Sequence, residues 1–231
     1  MSTGQKDEEC RGLWVMRVAG TAVVILAVVL LSVLPAAPVR ENIPGFSSPI
    51  IGFELASRPE HLSGILGDPG TPERAEAARR MDLGNRIDFL FALSYAALYV
   101  GITLLLAGRA GISRGIELVL YALAATMAVG DCLENRELLF LSGASDAPGI
   151  TAALERLRVF TLVKWYAIYA ASAMVAGGIW REPGWWRWSA VFFAVAAVLG
   201  LASVIHLPAI EYSSAALFVA WIATCARSLR W

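Results

Sequence analysis

The sequence predicts an all-α protein, a polytopic transmembrane helix bundle with about six spans. Only 16% of its 231 residues are charged, whereas a soluble domain carries about 25%. The charges cluster between apolar runs of about 20 residues, and such a run crosses a hydrocarbon core of about 30 Å as a helix. Because 58% of the residues are hydrophobic, lipid rather than water is the solvent that the pattern requires.

The first apolar run covers residues 18–39 and follows Arg11 and Arg17. A signal peptide is the competing interpretation, since a basic segment precedes an apolar one. However, the run exceeds the usual apolar core of about 7–15 residues, and the segment Leu34-Pro35-Ala36-Ala37 is a poor cleavage site. We therefore predict a cytoplasmic N-terminus over 1–17 and an uncleaved transmembrane anchor over 18–39.

Five further runs predict a five-helix transmembrane bundle over 87–227, followed by a C-terminal tail at 228–231. Their apolar stretches cover residues 89–108, 116–141, 159–180, 188–205 and 208–226. Pro208 suits the first turn of the last helix, where its missing N–H makes no difference.

The intervening segment, 40–86, predicts a short helical extracytoplasmic cap. Phe46, Phe53 and Leu55 make it too apolar for a solvated linker. Pro59 and Gly67 mark the start and stop of one short helix, and Pro72 marks the start of another that leads into the second span. We expect the cap to lie across the outer face of the bundle.

Orientation depends on basic residues in short loops. They divide evenly between the two sides, but the loops on the side of the N-terminus are shorter, so their density is higher there. Both termini are therefore predicted to be cytoplasmic. Arg supplies 17 of the 19 basic residues, which, with abundant Ala and Gly, suggests a GC-rich bacterial genome and the plasma (bacterial inner) membrane.

Several function classes lack support in the sequence. The formal net charge is zero, so no nucleic-acid partner is expected. Cys10, Cys132 and Cys225 lie far apart, without a zinc spacing. We predict no cofactor and no metal. A site formed by Asp131, Glu134, His206 and Glu211 is chemically conceivable, but no sequence spacing specifies it.

Ionisable residues inside a bilayer are costly and therefore candidates for function. Lys164 lies about 7 Å below the outer surface, and Asp131 lies about 8 Å below it, from the rise per helical residue. Their depths match and their charges are opposite. Glu134 and Asn135 share the helix face of Asp131.

Asp88 opens the second span, and Tyr95 follows on roughly the same face. The predicted ligand-binding residues are Asp88, Tyr95, Asp131, Glu134, Asn135 and Lys164. Glu54 and Asp88 also fit the simpler role of carboxylates at the membrane interface, and His206 fits a helix end.

Lys164 admits two interpretations. A buried Lys can lose its proton and act as a base or nucleophile, whereas Arg keeps its charge in nearly every setting. Alternatively, a Lys–Asp pair locks two helices together in lipid. Asp131, Glu134 and Asn135 together exceed what one Lys requires, which favours a pocket.

A short pattern resembles one found in uncharacterised bacterial multi-pass membrane proteins. It comprises Phe53-Glu54-Leu55-Ala56, then Asp88-Phe89-Leu90-Phe91 with Tyr95, then Asp131-x-x-Glu134-Asn135, and Lys164. The resemblance covers about residues 50–180. It implies a related fold and no activity.

Three functions compete. The leading one is binding of a lipid head group or small polar ligand in the charged pocket, with membrane lipid as the surrounding partner. The second is an enzyme acting on a lipid or isoprenoid with carboxylate acid–base groups. The third is a proton-coupled carrier, although carriers usually place their sites near the midplane on broken helices. The sequence contains no signal for an oligomeric state.

Overall fold

The computed structural model describes residues 3–144, 147–181 and 186–229, and these residues form helices and no strand. The all-α prediction is therefore confirmed. The helices are α1 (Thr3–Val33), α2 (Pro49–Glu54), α3 (Pro59–Leu66), α4 (Pro72–Arg109), α5 (Arg114–Gly143), α6 (Ala147–Trp180), α7 (Arg187–Ala202) and α8 (Ala209–Ser228).

Five of the described helices, α1, α4, α5, α6 and α8, are long and apolar enough to cross a membrane. The predicted fifth span corresponds to α7, which is apolar but has only 16 residues. It ends at Ala202 instead of continuing to residue 205. Residues 203–205 form tighter turns, in which the amides of Val204 and Ile205 bond to carbonyls three residues earlier.

The helix signals in the cap segment are confirmed. α3 begins at Pro59 and ends before Gly67, whose φ of 93° suits glycine. α2 was not predicted; it begins after Ser48, whose hydroxyl accepts a hydrogen bond from the Ile51 amide. Burial, followed by the charge of Arg58, lowers the pKa of His61, and its Nδ1 accepts a hydrogen bond from the Ser57 amide at 3.2 Å.

The chain forms two compact units. The first unit comprises Met1–Ile25, Phe91–Ala128 and Trp165–Trp231, and the second comprises Leu26–Leu90 and Val129–Lys164. Four helices, α1, α4, α5 and α6, contribute residues to both units.

The second unit has a core formed by the cap helices and parts of α4, α5 and α6. Phe53, Leu66 and Met81 are fully buried there, together with Leu141 and Leu157. Arg80 of α4 donates hydrogen bonds to the carbonyls of Val33 and Leu34, at 2.8 and 2.9 Å. These bonds satisfy carbonyls that the end of α1 leaves without helical partners. The cap segment is thus packed as part of a core.

In the first unit, α7 packs against α8. The Ser213 hydroxyl of α8 donates a hydrogen bond to the Ala196 carbonyl of α7 at 2.9 Å. The hydroxyls of Tyr99 and Ser172 lie 2.6 Å apart and are hydrogen-bonded. Hydroxyl hydrogen bonds thus link helices within this unit, as they do in membrane helix bundles.

Candidate functional site

Lys164 is the centre of a buried charge cluster in the second unit. Its side chain is 6% exposed, and its Nζ lies 2.5 Å from Glu134 Oε1, 3.2 Å from Glu54 Oε2 and 3.7 Å from Asp131 Oδ1. Nζ donates hydrogen bonds to Glu134 and Glu54. The predicted contact between Lys164 and Asp131 is present, but two other carboxylates lie nearer.

A close approach of α5 and α6 positions the lysine. A Cβ atom added to Gly130 would lie only 3.2 Å from the Lys164 backbone nitrogen. The absence of a side chain at Gly130 lets the two helix backbones approach, as small residues do in membrane helices. Asp131 and Glu134 follow Gly130 on α5 and so reach the Lys164 ammonium.

Glu54, the last residue of α2, lies in the cluster, although its sequence position also fits a carboxylate at the membrane interface. It is 9% exposed, between the fully buried Phe53 and Ala56. The Thr161 hydroxyl of α6 donates a hydrogen bond to the Glu54 carbonyl at 3.1 Å, one helical turn before Lys164. The sequence signal for Glu54 is a single carboxylate within an apolar segment. Its partner, Lys164, is evident only from the packing of the cap.

Asn135 connects the fourth carboxylate, Asp88, to the cluster. Its side-chain Nδ2 donates to Asp88 Oδ2 at 2.8 Å and to Asp131 Oδ1 at 3.4 Å. Asp88 is half-buried, whereas Asp131 and Asn135 are buried. Five of the six predicted ligand-binding residues therefore lie together in the second unit, with Glu54 as the addition.

Tyr95, the sixth predicted residue, belongs to the first unit. Its ring stacks on that of Trp221 at a centroid distance of 5.5 Å, and its hydroxyl donates a hydrogen bond to the Met127 carbonyl at 3.4 Å. Its role in ligand binding stays a prediction.

Across the described ranges, no group of three or more His, Cys, Asp or Glu side chains is arranged to hold a metal ion. The conceivable set of Asp131, Glu134, His206 and Glu211 divides between the two units.

A small cavity adjoins the cluster. It has a volume of about 20 Å³, and its polar lining consists of Glu54, Asn85, Asp88 and Asn135. Asn85 of α4 is 1% exposed, and its side-chain Nδ2 has no hydrogen-bond partner within the described part of the chain. Since a cavity holds a water-sized group from roughly 10–15 Å³ upwards, this one has room for one such group.

The first unit contains a larger groove of about 730 Å³, formed by α6 and α7. Its lining is almost entirely apolar, with Arg181 as the charged residue, and includes none of the predicted ligand-binding residues. Size alone would favour this groove as a ligand site. The polar side chains of the charge cluster make it the better candidate, because the specificity of a ligand site comes from a few polar groups in fixed positions.

No family model, curated protein or solved structure matches the chain. The site must therefore be interpreted from its own chemistry. A buried group of four carboxylates, one ammonium and two amides is suited to binding a polar or charged group and to exchanging protons.

Proposed function

We propose that the chain is an integral membrane protein that binds a small polar ligand at the carboxylate–lysine cluster. The observation that carries this proposal is the surplus of acidic groups around Lys164. A helix lock needs one ion pair, whereas Lys164 has three carboxylates within 3.7 Å. Each additional buried carboxylate raises the desolvation penalty, which a purely structural role does not explain.

The adjoining cavity narrows the choice of ligand. At about 20 Å³, it accepts a water-sized group rather than a complete lipid head group. The anionic surroundings also disfavour a phosphate. A small polar ligand therefore suits this site better than lipid or isoprenoid turnover.

A proton-coupled carrier is the second candidate, favoured by one oxygen atom. Glu134 Oε2 is buried and has no hydrogen-bond partner in the described structure. Protonation turns a carboxyl oxygen into a donor and lowers the cost of burying the group. Ligand uptake into proteoliposomes that responds to an imposed pH gradient would distinguish transport from simple binding.

Ligand retention tests the main proposal. We expect Glu134→Gln and Lys164→Arg to weaken retention of a co-purifying small molecule by about 10- to 100-fold, because a hydrogen bond to a charged group contributes about 1.5–3 kcal/mol. Native mass spectrometry of the gently purified protein measures the retained mass, and thermal unfolding checks the fold.

Glu137→Gln is the matched control for this test. Glu137 lies on α5 one turn after Glu134, and its carboxylate pairs with Arg156 at 2.7 Å. This variant should keep the ligand. Retention of the ligand by both Glu134→Gln and Lys164→Arg would show that the cluster is scaffolding.

The localisation proposal is a multi-pass protein of the bacterial inner membrane with cytoplasmic termini. This arrangement requires α7 to cross as well. Its 16 residues extend about 24 Å at 1.5 Å per residue, short of a core of about 30 Å. Local thinning of the bilayer at modest cost accommodates such a helix.

Cysteine labelling tests the orientation. We expect Ser63→Cys in the cap to react with an impermeant maleimide on intact cells, and Ser113→Cys, which is exposed in the loop before α5, to react only after lysis. The reason is the higher density of basic residues on the cytoplasmic side. Labelling of Ser113→Cys alone on intact cells would reverse the orientation.

A further inference from the structure

Resting on the proposed function, we propose that the ligand carries a primary ammonium group, which occupies the small cavity lined by Glu54, Asn85 and Asp88. Three features of the site lead to this chemical class: its excess of acidic groups, the volume of its cavity and the acceptors in the cavity lining.

The excess of acidic groups in the cluster favours a cationic ligand over an anionic one. The cluster contains the carboxylates Glu54, Asp88, Asp131 and Glu134 and the ammonium of Lys164. Acidic side chains therefore outnumber the one basic side chain of the cluster by four to one. Buried charge of one sign is costly, so a cationic ligand stabilises the site and an anionic one destabilises it.

Volume sets the size of the charged group. The cavity measures about 20 Å³, and a single water-sized group occupies such a space. A primary ammonium nitrogen with its hydrogens is about that size. A trimethylammonium group has three additional methyl groups and does not fit unless the lining moves.

The hydrogen-bond acceptors that line the cavity match the donors of a primary ammonium. A primary ammonium has three N–H donors, and the cavity offers the carboxylates of Glu54 and Asp88 as acceptors. Asn85 lines the same cavity, and its buried Nδ2 has no partner in the described structure. The side-chain oxygen of Asn85 is the third acceptor in this lining.

The geometry also distinguishes an ammonium from a metal ion. No cluster of His, Cys, Asp and Glu with the arrangement of metal ligands occurs in residues 3–144, 147–181 and 186–229. Directional N–H donors suit acceptors that already hold other partners, as Asp88 does with Asn135. A bare cation requires several oxygen ligands at short distance.

The test uses the full-length protein in detergent and measures thermal unfolding at constant ionic strength and pH. Methylammonium chloride is expected to raise the melting temperature saturably, because a ligand that binds the folded state stabilises it. Tetramethylammonium chloride, sodium chloride and sodium phosphate should not. Equal stabilisation by tetramethylammonium or by sodium would overturn the ammonium assignment.

Variants locate the effect. Asn85→Leu fills the cavity and removes a buried amide without a partner, so the protein should be at least as stable as the wild type. We expect it, like Asp88→Asn, to bind methylammonium at least tenfold more weakly. Glu76→Gln is the control, since Glu76 forms an exposed pair with Arg79 on α4, and it should retain the full shift. An unchanged shift in Asn85→Leu contradicts the proposal.

The outcomes separate this inference from the proposed function. If native mass spectrometry finds an uncharged or anionic molecule whose retention requires Glu134, the binding function holds and the ammonium assignment is wrong. If no molecule is retained and no amine stabilises the protein, both are wrong. An amine-dependent shift that also disappears in Glu76→Gln is a general charge effect and likewise contradicts the inference.

Discussion

Lys164→Met is expected to destabilise the protein by about 3–5 kcal/mol, because it strands carboxylates in a buried setting. Nζ of Lys164 is the shared partner of Glu134, Glu54 and Asp131. Its removal leaves three acidic side chains, each at most 11% exposed, without this counter-ion. Reversible unfolding in detergent, monitored by circular dichroism, measures the loss.

Arg156→Met provides the matched control, since Arg156 lies on the same helix and pairs with Glu137. The Arg156 side chain is 51% exposed and only one carboxylate, Glu137 at 8% exposure, loses its partner, so we expect a smaller loss than for Lys164→Met. Single neutralisations such as Asp131→Asn should also have small effects, because Lys164 keeps two partners.

Combining Lys164→Met with Asp131→Leu should restore only part of the stability, since Glu54 and Glu134 stay stranded. A double variant as stable as the wild type, or a Lys164→Met variant no worse than the Arg156→Met control, would contradict this account of the cluster.

The helical part of the cluster was predictable because it depends on local geometry. The rise per residue places Lys164 and Asp131 at similar depths, and the helical repeat places Glu134 and Asn135 beside Asp131. The free-energy cost of a charge inside a bilayer then marks these residues as candidates, since a charge in an apolar segment requires a partner. These steps need no knowledge of how distant segments pack.

Glu54 and Asn85 were missed for the opposite reason. Glu54 reaches Lys164 across 110 residues of sequence, through an irregular segment and a short helix. No periodic pattern fixes the path of such a segment. Asn85 precedes the apolar run of α4 and resembles an ordinary surface amide in the sequence. Its burial follows from packing within the second unit.

Helix boundaries show a related limit. Apolar runs predict where a helix meets lipid, whereas backbone geometry decides where it ends. α4 begins at Pro72 and α6 at Ala147, because no residue between these starts and the apolar runs interrupts helical hydrogen bonding. α1 ends at Val33, two residues before Pro35, although the apolar run continues to Val39.

The second large effect is expected at Gly130, where α5 and α6 approach each other. A Cβ atom there would lie 3.2 Å from the backbone nitrogen of Lys164 and 3.3 Å from its Cα and Cβ. Backbone atoms of a helix cannot rotate away as a flexible side chain does. Gly130→Val adds two further methyl groups and must separate the helices, so we expect a loss of about 1–3 kcal/mol from overpacking.

Separation of α5 from α6 should also impair the site, because Lys164 Nζ holds Glu134 on the opposite helix at 2.5 Å. Gly130→Val should therefore lose both stability and the co-purifying ligand, whereas Gly130→Ala should show a smaller version of both effects. Gly177→Val is the control: Gly177 lies within α6, as Gly130 lies within α5, and a Cβ at Gly177 meets nothing within 4 Å. Replacing glycine by valine changes the helix propensity equally at both positions. A difference in melting temperature between the two variants therefore measures the effect of the contact between α5 and α6. If Gly130→Val and Gly177→Val have equal melting temperatures, the close approach does not hold Lys164 against its carboxylates.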